Sequence, residues 1–240
     1  MKKTYVFGFL IFLFLIASYT LIYAVKPEQV LILNKEDGVV ETCSVVCYFL
    51  SACFLFYLFF RSKSIKEKYP FRNRRNYFFL LIGLFFFFCV GEEISWGQRI
   101  FNIETPDWLK LINRQNEINF HNLNIAQGTD EFGNAKTGIS MWITAGRIFI
   151  LFIFLYCVLV PILYNFSAKT HGVLKKMCLP IVPMWIAPFF IINFAAENLI
   201  ERISFFDSPP RFGETIENNY AILFLLVSIS FYFNNKKDNS

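Results

Sequence analysis

The sequence predicts an all-α fold, a polytopic membrane helix bundle of about six transmembrane helices with a short amphipathic external helix. Composition is the first observation behind this. Of 240 residues, 55% are hydrophobic, 20% aromatic and only 17% charged, whereas soluble domains are roughly 45–50% apolar and about 25% charged. The second is clustering, since the apolar residues gather in runs of about 18 to 25, enough to cross a bilayer as helices. The third is the placement of the basic residues in short segments between those runs. There they serve topology, so the net charge of +5 gives no reason to expect a nucleic-acid partner.

The expected spans are 4–25, 39–60, 76–96, 139–166, 173–199 and 215–233, in one integral membrane domain covering 1–240. In hydrocarbon each backbone polar group must be paired within its own segment, so runs this apolar read as helices. The first run follows Lys2 and Lys3. Its core exceeds the roughly 7–15 residues of a signal peptide, and Ile22-Tyr23-Ala24 is a poor cleavage site, so it reads as a retained anchor. The fifth run carries Pro180, Pro183 and Pro188, which predict a kinked helix. Lysines and arginines concentrate at the N-terminus, between 61 and 75, between 169 and 176, and at Lys236 and Lys237. By the positive-inside tendency both termini are cytoplasmic and the loop 97–138 faces outward. The six cysteines lie in or beside apolar runs and make no CxxC. They read as small apolar packing residues, and the four-residue spacing of Cys43 and Cys47 suits no disulfide.

Glu92 and Glu93 stand near the outer end of the third run, Glu197 at a similar level of the fifth, and Glu217 in the first turn of the sixth. Glu92, Trp96 and Arg99 share a helical stripe, as do Asn193, Glu197 and Glu201, and Glu214 neighbours Glu217. Arg147, about eight residues into its run, calls for a carboxylate partner, with Glu92, Glu93 or Glu197 as candidates. In the loop, Thr105-Pro106-Asp107 predicts a helix start. Trp108, Leu109, Leu111 and Ile112 would lay that helix on the membrane surface. Beyond it Asn113, Glu117 and His121 share a face if helical, and Gln115, Glu117, Asn119 and His121 share one if extended. Under either geometry Glu117 and His121 point the same way.

Carboxylates and an imidazole at one depth suit acid/base chemistry by Glu92, Glu93, Glu117 and His121. Trp96, Gln98, Arg99, Asn113, Gln115 and Arg147 are the expected substrate-binding groups. A divalent metal is a candidate cofactor, with Glu117, His121, Glu197 and Glu201 as its ligands. The plainer reading pairs these acids with Arg99, Arg114, Arg147, Arg202 and Arg211 to hold loops down, and makes Trp96 and Trp108 interfacial belt residues. His171, beside Lys169 and Lys175, reads as a solvated loop residue.

"GEEISWGQRI" (91–100) followed by "NRQNEINFHNL" (113–123) resembles the signature of an uncharacterised group of bacterial multi-span membrane proteins. The resemblance implies that Glu92, Glu93, Trp96, Gln98, Arg99, Gln115, Glu117 and His121 belong together, and brings no reaction with it. Membrane hydrolases of the alkaline-ceramidase type have seven spans and a three-histidine zinc site, whereas this chain has two histidines and no HxxxH. GxSxG and HExxH are also missing, which removes the common serine-hydrolase and zincin readings.

The leading expectation is a membrane-embedded hydrolase or transferase acting on a lipid or lipid-linked substrate at the outer face of a bacterial inner membrane. An ion- or proton-coupled transporter and a non-catalytic assembly subunit of a membrane complex are the alternatives.

Overall fold

The computed structural model describes residues 2–24, 27–33, 38–130, 134–202 and 213–237. Their regular structure is helical, with three isolated β-bridges and no strand among the described residues. In chain order the α-helices are α1 (Lys2–Ala24), α2 (Pro27–Leu33), α3 (Val39–Arg61), α4 (Tyr77–Glu93) and the single turn α5 (Asp107–Lys110). Then come α6 (Ala145–Phe152), continued through a π-helical stretch Ile153–Leu159 into α7 (Val160–Phe166), α8 (Ala168–Met177), α9 (Ala187–Arg202) and α10 (Gly213–Lys237).

Among the described residues three helices are long and apolar enough to cross a membrane: Val39–Arg61, Ala145–Phe166 and Gly213–Asn235. The first expected span is one continuous helix, α1, whereas the third and fifth depart from a continuous run for identifiable reasons. α4 has 17 residues, about 25 Å at about 1.5 Å per residue, because the backbone turns left-handed at Ser95 and Trp96 (φ 46° and 52°). The fifth expected span is broken rather than kinked. α8 ends at Cys178, which is left-handed with φ 53°, and residues 179–186 are not helical. Pro180 and Pro183 fall in that break, while Pro188 sits in the first turn of α9, where a missing N–H is harmless. The fourth span begins at Ala145 instead of residue 139, where Thr144 caps it by accepting from the Arg147 amide at 3.3 Å. Asn76 likewise caps α4, accepting from Phe78 N at 3.1 Å, and its amide donates to the Cys178 carbonyl at 2.8 Å. The start of α4 is thereby tied to the end of α8.

α3 packs along both α4 and α10. Close approach to α4 is permitted at Gly83, where an added Cβ would lie 2.8 Å from the Phe56 ring. The core between these helices is aromatic. Phe86 and Phe224 lie 4.9 Å apart, Phe190 and Phe224 5.1 Å, and Tyr48 and Phe86 6.1 Å, separations typical of interacting rings. Phe86, Phe190, Tyr220 and Phe224 are all fully buried. Tyr48, which stacks on Phe86 in this block, also lines the cavity of the site described next.

Candidate functional site

The two adjacent carboxylates that end α4 have separate environments. Glu92 is buried, and one of its oxygens accepts from Trp96 Nε1 at 2.8 Å. The other accepts from the backbone amides of Phe120 and His121 at 2.7 and 2.8 Å. His121 Nδ1 reaches the same oxygen at 3.3 Å. Donors from Trp96, Phe120 and His121 thus converge on this carboxylate, and it clasps the loop onto the helix end. The left-handed turn at Ser95 and Trp96 brings the indole back over Gly91, where an added Cβ would lie 2.8 Å from the ring. The i, i+4 contact of Glu92 with Trp96 thus forms although the helix has already ended.

The rest of the loop is bonded in the same manner. Glu117 receives Arg99 Nη2 at 2.6 Å on one oxygen, and Ser95 Oγ at 2.8 Å and Asn119 Nδ2 at 2.7 Å on the other. Asn113 is buried and accepts from the amides of Gln115 and Glu117 at 3.0 and 3.1 Å. Gln98 accepts from Ile118 N at 2.7 Å and donates to Thr105 Oγ1 at 2.6 Å. Asn122 donates to the Gln115 side chain, and Gln127 to the His121 carbonyl at 2.5 Å. The segment 113–123 is therefore neither the helix nor the extended strand that its spacing allows. It is a run of turns with one bridge between Asn113 and Leu123, held by side chains. Thr105 likewise does not cap a helix. Its hydroxyl donates to the Asn116 carbonyl, and α5 is one turn long, with Trp108, Leu111 and Ile112 exposed beside it.

Beneath this lid lies a cavity of about 600 Å³. Glu93 lines it and has no hydrogen-bond donor within reach among the described residues. Carboxylate oxygens of Glu93, Glu214 and Glu217 lie within 4.8 Å of one another, a spacing that could hold a cation. Glu41 from the first turn of α3 lines the same cavity, as do Glu92, Glu117 and His121. Aromatic side chains supply much of the remaining wall, among them Tyr48, Phe85, Phe149 and Phe152. Burial opposes protonation of His121. The hydrogen bond and charge of Glu92, with Glu217 and Glu117 further off, outweigh burial and hold the imidazole above its ordinary pKa.

All four expected acid/base residues, Glu92, Glu93, Glu117 and His121, thus line one cavity. Glu92 and Glu117 are engaged by donors that hold the lid, which leaves Glu93 and the unbonded side of His121 for chemistry. Of the expected substrate-binding groups, Arg99 and Gln115 line the cavity. Trp96, Gln98 and Asn113 instead brace the lid. Arg147 meets no carboxylate among the described residues. It stands in the first turn of its helix, exposed, donates to the Met141 carbonyl and lies 5.4 Å from the centre of the Trp142 ring. Because the helix begins at Ala145, Arg147 never enters the apolar interior, and no buried partner is required. Of the expected metal ligands, Glu117 is spent on Arg99, Ser95 and Asn119, and the side chains of Glu197 and Glu201 lie outside the described residues. The acids that do gather with Glu93 are Glu214 and Glu217, already neighbours by their three-residue spacing, and Glu41, which stood out by no motif. Compared with protein families, with curated proteins and with solved structures, the chain matches none of them.

Proposed function

We propose that this chain is a membrane-embedded enzyme, a hydrolase or transferase that acts on a lipid or lipid-linked substrate in the cavity under the lid. In this reading the bundle has about six spans, lies in a bacterial inner membrane with both termini cytoplasmic, and turns its lid outward. The distribution of basic residues and the resemblance of the 91–123 signature support that placement. One observation carries the catalytic reading. Glu93 stands free of hydrogen bonds among the described residues in a cavity that also presents His121 and has an aromatic wall. Polar reacting groups beside an apolar wall suit an amphiphile whose scissile bond lies at the membrane surface. Glu93 accepts the proton of the attacking nucleophile, and the His121 imidazolium, oriented by Glu92, supplies one to the leaving group.

The test is incubation of the purified chain with a bacterial total-lipid extract in vesicles, with products followed by mass spectrometry. Wild type is expected to convert at least one lipid class that Glu93→Gln leaves intact. Identical product profiles from the two proteins would remove the catalytic reading. A specific feature favours an ion-coupled carrier as the second reading, namely buried polar groups that continue along α10 below the cavity. Asn219 donates to Ser18 at 3.1 Å, and Ser228 is fully buried. Substrate accumulation in sealed vesicles, lost in Asn219→Leu, would favour that alternative.

A further inference from the structure

We infer that the end of the bundle away from the lid carries a binding surface for anionic phospholipid head groups, built on the turn 62–76 between α3 and α4 and on the neighbouring helix α8. α4 runs from this turn to the lid, so the surface and the cavity lie at opposite ends of that helix. Charge is the first observation. Between Arg61 and Arg75 stand seven lysines and arginines against one acid, Glu67, and α8 adds Lys169, Lys175 and Lys176 with no acid. Lys66, Lys68, Arg72 and Arg74 are exposed, and none of them is paired with a carboxylate among the described residues. The two basic segments are joined by the 2.8 Å hydrogen bond from Asn76 Nδ2 to the Cys178 carbonyl. Arg74 and Arg75 immediately precede Asn76, and Lys175 and Lys176 stand in the last turn before Cys178. That one bond therefore gathers four cations at one place on the surface.

The second observation is the shape of the turn, which is stitched together by hydrogen bonds. Ser64 N donates to the Arg74 carbonyl at 2.8 Å, Tyr69 N to the Asn73 carbonyl at 3.2 Å, and Asn76 N to Ser62 Oγ at 2.9 Å. At its tip Phe71 and Arg72 are both left-handed, with φ 57° and 55°, a conformation that disfavours a side chain as bulky as phenylalanine. The turn nevertheless holds Phe71 95% exposed, between Lys68 and Arg72 in the chain, and leaves Ile65 94% exposed. A topological signal needs positive charge in this segment and no such turn. The level of the turn identifies the partner. It starts where α3 ends, and α3 is long and apolar enough to cross a membrane. The Arg75 guanidinium lies 5.2 and 5.3 Å from the centres of the Phe59 and Phe60 rings in the last turn of α3, and Phe60 is exposed. A cation stacked on the terminal aromatic rings of an apolar helix marks the head-group boundary. Lipid phosphodiesters are the anions at that level, and acyl chains beneath them receive an exposed phenylalanine.

The experiment places the full chain in nanodiscs of phosphatidylcholine, and in nanodiscs half of whose lipid is phosphatidylglycerol with the same acyl chains. Hydrogen exchange is followed on peptides covering 62–76 and 168–178. Lid peptides 113–123 serve as the internal reference, since they meet the same change in surface pH at the other face. In the anionic nanodiscs the 62–76 peptides should exchange at least about tenfold more slowly relative to the lid. The difference should be present at about 0.1 M salt and shrink at about 1 M, where the screening length falls from about 10 Å to about 3 Å. A variant combining Lys66→Gln, Lys68→Gln, Arg72→Gln and Arg74→Gln, all exposed positions, should lose the selectivity. Phe71→Asn keeps a residue that tolerates the left-handed turn and removes the apolar tip, and should lose part of it. Equal exchange in the two lipids, or full selectivity retained by either variant, overturns the inference. So does equal protection in phosphatidylcholine nanodiscs by added glycerol phosphate, which would mark a site for free phosphate, or by polyglutamate, which would mark one for an acidic protein. This surface is separate from the cavity, and neither proposal depends on the other.

Discussion

Glu92→Gln should release the lid while leaving the bundle folded. The substitution keeps size and shape but removes the charge and one of two acceptor oxygens. In wild type one oxygen takes Trp96 Nε1 at 2.8 Å, and the other takes the Phe120 and His121 amides at 2.7 and 2.8 Å. Whichever way the new amide is turned, either the indole or the two backbone amides lose their acceptor, and every surviving bond loses its ionic assistance. Hydrogen bonds to charged groups contribute about 1.5–3 kcal/mol and neutral ones about 0.5–1.5, so lid closure should weaken by about 2–3 kcal/mol. At about 1.4 kcal/mol per tenfold, the Phe120 and His121 amides should exchange about 30- to 140-fold faster. Hydrogen-exchange mass spectrometry on peptides covering 113–123 reads this, with α3 and α10 peptides as the internal reference. Unchanged exchange at 120–121 would show that Glu92 does not hold the lid. Uniform acceleration across α3 and α10 would show that it holds the bundle instead.

Other outcomes follow from the same contacts. His121 has a raised pKa, so the stabilisation it gives the lid is complete below its unfolded value, about 6.5, and is lost as pH rises through the higher folded value. Lid peptides should therefore exchange faster than intrinsic chemistry predicts above that point, and His121→Ala should flatten the profile; a wild-type profile already flat would contradict the pairing. Gly91→Ala places a Cβ 2.8 Å from the Trp96 ring and should push the indole off Glu92. A shift in the Trp96 emission, isolated in a background with Trp108, Trp142 and Trp185 replaced by Phe, reports this, and an unaltered spectrum counts against the contact. Gly83→Leu forces α3 from α4 at Phe56. The cost should be about 1–3 kcal/mol, seen as a lower midpoint of thermal unfolding in detergent, whereas an unchanged midpoint would deny the close packing.

The long apolar helices were legible because apolar run length is a one-dimensional property. Helix ends were less so. The break at Cys178 depends on a left-handed residue that no local pattern announces, and the end of α4 on the turn at Ser95 and Trp96. The grouping of Glu92, Glu93, Glu117 and His121 around one cavity was readable from depth and spacing. Their division of labour was not, since only the folded loop shows that the Phe120 and His121 amides engage Glu92. Arg147 was misplaced for a simpler reason, in that the helix start moved from 139 to 145 and took the residue out of the apolar region. Glu41 joins the cavity through the packing of α3 on α4 and α10, a long-range fact with no sequence signature.

The account depends on two neighbouring carboxylates having different tasks, and hydrogen exchange of Glu93→Gln, read beside its turnover of a bacterial lipid extract, tests that most directly. Lid peptides 113–123 should keep wild-type protection in this variant, and the lipid conversion seen with wild type should disappear. If Glu93→Gln instead opens the lid as far as Glu92→Gln does, or keeps lipid conversion in full, the two residues do not divide the work and the site is not the one described.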